Sequence, residues 1–173
     1  KDDFVKYDAL LIGCGLGQSL DSYRYVIDLL EKTHQPLVID GDALTILSAH
    51  VDLLKNQKRD IILTPHLGEF QRLCPFQEDD DMLEIAQNFA KTYHVTLVLK
   101  GPYTMVTNGY ESYRVMAGHK AMATGGMGDV LAGIITSFLG QGYQAIQAAL
   151  LGVFIHGYTG EQLAKKAYTV LPS

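Results

Sequence analysis

One stretch of this 173-residue sequence indicates the fold: Ala123-Thr124-Gly125-Gly126-Met127-Gly128-Asp129, continued by Val130-Leu131-Ala132-Gly133-Ile134-Ile135. The three glycines let backbone N–H groups converge on an anion, and the apolar segment predicts a helix whose positive N-terminal end points at the same place. A carboxylate there would repel a bound phosphate. Asp129 is explained if it takes a proton from a hydroxyl while the N–H groups hold the phosphoryl group moving onto that hydroxyl. A glycine-rich turn with Asp at an ordinary helix start is the alternative interpretation.

Composition narrows the class of protein. Hydrophobic residues make up 47% and charged residues 19% of the chain, which is typical of a globular domain. A formal charge of −5 disfavours nucleic acid or an anionic membrane as the partner. No apolar run reaches the length of a membrane span. The two cysteines, Cys14 and Cys74, form no C-x-x-C motif, so we expect a reduced, cytoplasmic protein without disulfides or structural zinc.

Short apolar runs alternate with helical patterns along the chain. Strands are predicted at residues 9–12, 37–39, 61–63 and 96–99, and a hairpin at 104–106 and 113–115. Helices are predicted at residues 19–32, 43–48, 80–93, 129–139, 145–156 and 161–167. In the first of these helices, Leu20, Tyr23, Ile27 and Leu30 are predicted to lie near one face. This order predicts an α/β sandwich on a mostly parallel sheet, with residues 1–173 in a single domain.

Each predicted parallel strand is followed by glycine or polar residues, and ligands of open α/β sheets bind at the carboxyl ends of the strands. The glycines of Gly13-Cys14-Gly15-Leu16-Gly17, with Asp40 ending the next strand, imitate a dinucleotide-binding fingerprint. The third glycine of G-x-G-x-x-G would fall at position 18, which is Gln18, so a dehydrogenase site is disfavoured. The sequence also has no Walker A motif.

Taken in order, these motifs resemble the ribokinase-like superfamily and, within it, the carbohydrate-kinase-related NAD(P)HX dehydratases. The resemblance rests on residues 13–17, 38–44, 63–70 (with Thr64-Pro65-His66-Leu67-Gly68-Glu69), 98–101 and 122–133, and covers nearly the whole chain. It implies a three-layer α/β/α sandwich. It also implies repair of hydrated nicotinamide nucleotides: ADP, or ATP in some members, phosphorylates the C6 hydroxyl of NADHX or NADPHX, and phosphate then leaves to restore NAD(P)H.

The resemblance assigns a role to each matching residue. Asp129 corresponds to the base that activates the hydroxyl and, together with Gly15, Gly17 and His66, to the NAD(P)HX contacts. An anion hole corresponds to Gly125, Gly126 and Gly128. AMP/ADP binding corresponds to Lys100, Gly101, Pro102, Tyr103, Thr104 and Gly128. Asp40 and Glu69 are expected to position Mg²⁺ or substrate, and a homo-oligomer is expected.

The sequence departs from the family in two places. Gly118-His119-Lys120-Ala121 stands where family members often have Asn-Pro. Family members also carry further sheet and helix before the Gly13 strand, so we expect this chain to be the C-terminal portion of a larger fold.

Two alternative functions stay open. A ribokinase-like kinase of a vitamin precursor or sugar alcohol is the alternative enzyme, and a non-catalytic nucleotide-sensing module is the alternative of another class.

Overall fold

The computed structural model describes residues 4–166 and 169–171 and contains six strands and six α-helices. The strands are β1 (Leu10–Ile12), β2 (Leu37–Ile39), β3 (Ile61–Leu63), β4 (Thr96–Leu99), β5 (Thr104–Thr107) and β6 (Ser112–Val115). The helices are α1 (Leu20–Lys32), α2 (Gly41–Ser48), α3 (Leu67–Leu73), α4 (Met82–Tyr93), α5 (Met127–Gly140) and α6 (Ala145–Ala164). Three short 3₁₀ helices lie at Phe4–Lys6, Val51–Asn56 and Lys120–Met122.

All six strands form one sheet in the order β1-β2-β3-β4-β5-β6. The first four strands are parallel, and β5 and β6 continue the sheet as an antiparallel hairpin. Because β1 to β4 run in the same direction, their carboxyl ends share one edge of the sheet. The predicted α/β architecture on a mostly parallel sheet is confirmed.

The sheet separates two apolar cores, and alternate residues of each strand face opposite cores. In β2, Leu37 and Ile39 pack into the core under α1 to α4, whereas Val38 packs into the core under α5 and α6. The other central strands follow the same alternation, and their apolar residues are almost completely buried. Burial of both faces explains why these strands are continuously apolar. The result is the predicted three-layer sandwich.

Three details of the helices differ from the sequence prediction, and the first is α3, which was not among the predicted helices. The predicted helices at 145–156 and 161–167 are one continuous helix, α6, through Ala164, and residues 167 and 168 lie outside the described residues. The glycines within α6 do not end the helix because they are places where another segment packs closely against it. A Cβ on Gly157, for example, would lie 2.6 Å from the Ala117 backbone. In α1 the buried face is Ser22, Val26, Leu29 and Leu30, and Leu20 is 65% exposed.

Within the described ranges, the structure has no helix with the length and apolarity needed to cross a bilayer.

Candidate active site

The parallel ladder brings the predicted strand-end motifs into one row. Beyond the strand ends, Asp40 N–H donates to the Ile12 carbonyl at 3.0 Å, and Lys100 N–H donates to the Pro65 carbonyl at 2.8 Å. Gly13 follows β1 with a positive φ of 121°, and a Cβ at this position would fall 1.7 Å from the Asp40 carbonyl oxygen. Only glycine therefore lets the first two strand ends approach this closely.

A buried ion pair lies at the centre of the row. Lys100 Nζ lies 2.8 Å from Asp40 Oδ1 and 4.0 Å from Glu69 Oε2. The side chains of Lys100, Asp40 and Glu69 are 21%, 3% and 11% exposed. The Lys100 ammonium therefore neutralises the Asp40 carboxylate, which has almost no access to water. The Lys100 side chain itself keeps some exposure.

His66 and Glu69 form a capping box at the start of α3. His66 Nδ1 accepts from the Glu69 N–H, and the Glu69 carboxylate accepts from the His66 N–H at 2.7 Å. This reciprocal pair satisfies two N–H groups at the helix start. His66 Nε2 is left on the outer side of the ring, 3.4 Å from Glu69 Oε1, and the side chain is 57% exposed.

The N-terminus of α5 faces the ion pair from the other layer. Gly126 is the N-cap residue with φ of 86°, a left-handed conformation that favours glycine. A Cβ on Gly128 would lie 3.3 Å from Lys100 Nζ and 3.7 Å from Asp40 Oδ2. Glycine at 128 therefore leaves the first turn of α5 open beside the Lys100 ammonium, where helix N–H groups without intrahelical partners can receive an anion.

Asp129, in the first turn of α5, lies against Cys14. Ligand atoms of Cys14, Asp40 and Asp129 all lie within 4.8 Å of one another. Burial, followed by the negative charge of Asp129 and a hydrogen bond to it, raises the pKa of the Cys14 thiol to about 12. The thiol is therefore a neutral group beside the carboxylate. Asp129 itself is exposed.

A cavity of about 670 Å³ opens beside this cluster. Its wall is formed by the β4–β5 turn, the loop at residues 117–124 and the start of α5. Helix α6 contributes Val153, His156 and Gly157. The volume is within the range of small-molecule sites and large enough for a nucleoside diphosphate. Lys100 and Gly128 are part of the wall, so the cavity adjoins the ion pair and the first turn of α5.

The structure brings most of the predicted site residues together. Lys100, Gly101, Pro102, Thr104 and Gly128 line the cavity. Asp40 forms the ion pair with Lys100, and Glu69, His66 and Asp129 lie close to that pair. Gly125 and Gly126 form the turn into α5 and do not contribute to the cavity wall.

Three predicted residues lie farther from the cavity. Tyr103 lies in a neighbouring groove of about 630 Å³, with the Arg114 guanidinium carbon 4.1 Å from its ring centroid. Gly15 and Gly17 lie in the β1–α1 loop on the Cys14 side, where Gly17 N–H donates to Asp42 Oδ2 at 2.8 Å. Their roles, like those of the other site residues, stay predictions.

Two residues in the site were not predicted from the sequence. Cys14 was considered only as a cysteine without a partner motif, and His156 only as one of several isolated histidines. The sequence contained one indication that Cys14 belongs to the site, because Cys14 lies within the glycine-rich segment that follows β1. Nothing in the local sequence distinguishes His156, because its place in the cavity wall depends on how α6 packs.

The sequence that forms this site is matched by a family model. The model described as NAD(P)H-hydrate dehydratase matches residues 2–173. The chain belongs to this family. It is 41% identical over 176 residues to the ADP-dependent (S)-NAD(P)H-hydrate dehydratase of Listeria monocytogenes, covering 99% of this chain and 61% of that protein.

Solved structures agree with the family fold. A ribokinase-like superfamily protein of Enterococcus faecalis superposes with a TM-score of 0.87 at 34% identity, covering 95% of this chain and 58% of that one. The ADP/ATP-dependent NAD(P)H-hydrate dehydratase of Bacillus subtilis, co-crystallised with ATP/Mg²⁺, superposes with a TM-score of 0.80 at 28% identity, covering 95% and 60%. The fold is therefore ribokinase-like, and the chain spans about 60% of the length of these relatives.

Proposed function

We propose that the protein carries out the ADP-dependent dehydration of (6S)-NAD(P)HX to NAD(P)H, as its Listeria relative is named to do. ADP transfers a phosphoryl group to the C6 hydroxyl, giving AMP. Phosphate then leaves with the C6–O bond electrons, and the neighbouring carbon, C5, loses a proton to water, so that the C5–H bond electrons form the ring double bond. The single observation that carries the proposal is Asp129, an exposed carboxylate in the first turn of α5. It lies next to the Lys100–Asp40 pair and the cavity.

Asp129 is the proposed general base. An alcohol is a poor nucleophile at neutral pH, so a carboxylate that accepts its proton as the oxygen–phosphorus bond forms lowers the barrier, and this contribution is typically about 10²–10⁴-fold. The N–H groups of the first turn of α5, with Gly125, Gly126 and Gly128, hold the phosphoryl oxygens as negative charge moves across them. Lys100 adds a fixed positive charge at the same end of the cavity.

The nucleotide occupies the cavity. Gly101, Pro102 and Thr104 line one wall of it, and Gly128 lines the wall nearest the transferred phosphoryl group. ADP is the proposed donor, and ATP fits the same site with one more phosphate. The hydrated dinucleotide approaches from the other side of Asp129, where Gly15, Gly17 and the exposed ring of His66 are its proposed contacts.

Mg²⁺ is the proposed cofactor, and the donor atoms at the site can accommodate it. Asp40 is already paired with Lys100, and Glu69 is engaged by His66. Their remaining carboxylate oxygens, Asp40 Oδ2 and Glu69 Oε1, keep lone pairs that can hold Mg²⁺, which at nucleotide sites commonly uses one or two carboxylates together with phosphate oxygens. When bound, Mg²⁺ neutralises phosphate charge and aligns the transferred group.

The direct test is recovery of the reduced-nicotinamide absorbance when the protein is incubated with NADHX and ADP, and separately with ATP. A kinase of the alternative class would instead yield a stable phosphate ester without recovery of absorbance. No recovery with either nucleotide would reject the proposal.

The role of Asp129 has its own test. Asp129→Asn keeps the shape of the side chain and removes the proton acceptor, so we expect turnover to fall by at least about 10²-fold while ADP binding measured by calorimetry is largely retained. Asp21→Asn is the matched control. Asp21 is also in the first turn of a helix, but its side chain is 94% exposed and it is not among the residues of the candidate site. Unchanged turnover in Asp129→Asn would contradict the assignment.

A further inference from the structure

The tip of the β1–α1 loop is an exposed turn that contains two glycines. Gly15 and Gly17 have positive φ angles of 62° and 73°, and a Cβ on either residue would meet no atom within 4 Å. Glycine also loses more conformational freedom on ordering than any other residue. Because the tip has so few neighbours, its order depends on bonds that reach it from elsewhere in the chain.

The Asp42 carboxylate supplies two such bonds from the first turn of α2. Its Oδ2 accepts from the Gly17 N–H at 2.8 Å, and its Oδ1 accepts from Gln18 Nε2 at 3.2 Å. The Asp42 N–H in turn donates to the Gly13 carbonyl at 3.2 Å. Asp42 therefore contacts the loop at its first glycine and at its last glycine.

The position of Asp42 in a helix start does not by itself explain these bonds. An acidic residue in the first turn of a helix interacts favourably with the positive helix end, and it often accepts from an N–H group there. Within the described part of the chain, neither oxygen of Asp42 accepts from α2, and both are used on residues 25 and 24 positions earlier in the sequence. The side chain therefore holds the loop and does not cap its own helix.

We propose that Asp42 is a positioning residue that holds Gly15 and Gly17 in the conformation that receives NAD(P)HX. This inference rests on the proposed function, because it assumes that the two glycines contact the hydrated dinucleotide. A loop that is ordered before the substrate arrives loses less conformational entropy on binding. The residues that line the ADP cavity lie in other segments of the described chain, so loss of Asp42 should weaken binding of the dinucleotide and spare that of ADP.

Steady-state kinetics with NADHX at saturating ADP test the proposal. Asp42→Ala removes both acceptors, so we expect KM for NADHX to rise at least about tenfold while kcat changes less than about threefold. Calorimetric titration should show the same separation, with weaker binding of the product NADH and binding of ADP within about threefold of the wild type. A KM within about threefold of the wild type would overturn the proposal, and so would an equal loss of ADP binding.

Asp42→Asn separates hydrogen bonding from charge. Its amide oxygen can still accept from the Gly17 N–H, and the Gln18 amide can turn its oxygen toward the new N–H₂ group, so we expect KM within about threefold of the wild type. Asp21→Ala is the matched control, since Asp21 lies in the first turn of a helix and pairs with Arg24 on the surface. The control should leave KM unchanged. Equal losses in Asp42→Asn and Asp42→Ala would assign the effect to charge and overturn the proposal.

Hydrogen exchange followed by NMR tests the loop without substrate. After correction for intrinsic rates, the Gly17 amide of the wild type should exchange at least about tenfold more slowly than the Gly15 amide, for which the described residues offer no acceptor. Asp42→Ala should remove this difference. Equal exchange of the two amides in the wild type would contradict the positioning role, and this measurement stands even if Asp42→Ala does not fold.

The two proposals fail in different ways. If NADHX and ADP give recovery of absorbance but KM does not respond to Asp42→Ala, the positioning role is wrong and the proposed function stands. If the wild type gives no recovery with either nucleotide, the proposed function falls, and the role of Asp42 in binding the dinucleotide falls with it.

Discussion

Replacing Lys100 with methionine removes the positive partner of a buried carboxylate. The Nζ–Oδ1 distance to Asp40 is 2.8 Å, and the Asp40 side chain is only 3% exposed. At an effective dielectric constant of about 20, the attraction over this distance is about 6 kcal/mol before desolvation is counted. Because the remaining charge cannot reach water, we expect Lys100→Met to lower the free energy of unfolding by about 3–4 kcal/mol.

The reverse substitution should cost less, and this asymmetry follows from burial. Asp40→Asn leaves an ammonium that is 21% exposed and still 4.0 Å from Glu69 Oε2. We therefore expect a loss of only about 1–2 kcal/mol. The double variant, with both charges removed, should be more stable than Lys100→Met alone, because no uncompensated charge remains buried.

Urea unfolding followed by far-ultraviolet circular dichroism at fixed pH and salt gives these free energies. A loss of 3–4 kcal/mol corresponds to a fall in Tm of roughly 6–16 °C for a domain of this size. The control is Lys32→Met, which breaks a pair of nearly equal length, 2.7 Å to Asp28 Oδ2, with both side chains more than half exposed. The control should cost less than about 1 kcal/mol.

Two results would refute this reasoning. One is a cost for Lys100→Met that matches the Lys32→Met control, since the pairs differ mainly in burial. The other is a cost for Asp40→Asn that equals or exceeds that of Lys100→Met, since the carboxylate is the group that water cannot reach.

Three further predictions concern the thiol and the helix glycines. Because the pKa of Cys14 is raised to about 12, iodoacetamide at about pH 8 should alkylate it at least about 10³-fold more slowly than an ordinary thiol, as peptide mass spectrometry would show. The folded state keeps this thiol proton where the unfolded state loses it, so between about pH 9 and 10 the wild type should lose stability relative to Cys14→Ala, by under about 1 kcal/mol after solvent screening. Gly157→Ala should lower Tm, because its Cβ would lie 2.6 Å from the Ala117 backbone, whereas Gly133→Ala, with no atom within 4 Å, should raise it by removing a helix glycine.

The sequence predicted the central strands closely because their signals are local. Each of β2, β3 and β4 is an apolar run stopped by glycine, proline or a polar residue, and the predicted bounds agree with the structure. The continuity of α6 could not be predicted in this way. Gly157 and Gly160 weaken a helix locally, and what compensates is tertiary contact with Ala117 and Met122 from a loop about 40 residues away.

The candidate site likewise has features that local sequence predicts and features that depend on tertiary packing. Lys100 and Asp40 could be expected at one edge of the sheet because parallel strands share their carboxyl ends, but this rule does not place Asp129, which lies in the first turn of α5. The Lys100–Asp40 bond, between residues 60 positions apart, could not, because it depends on the lengths of both side chains and the close approach at Gly128. The places of Cys14 and His156 in the site depend on burial and on helix packing, which residue type alone does not show.

The charges of the assembled site explain why its glycines are needed. Asp40, Glu69 and Asp129 bring three carboxyl groups to the edge where the nucleotide is proposed to bind, and Lys100 offsets one of them. A single ammonium already paired with Asp40 cannot also neutralise a diphosphate. The remaining attraction must come from groups without side chains, the N–H groups at the start of α5, and from a cation that arrives with the nucleotide. Two glycines make room for these groups. Gly126 adopts the left-handed conformation that begins α5, and Gly128 leaves the space beside Lys100 open.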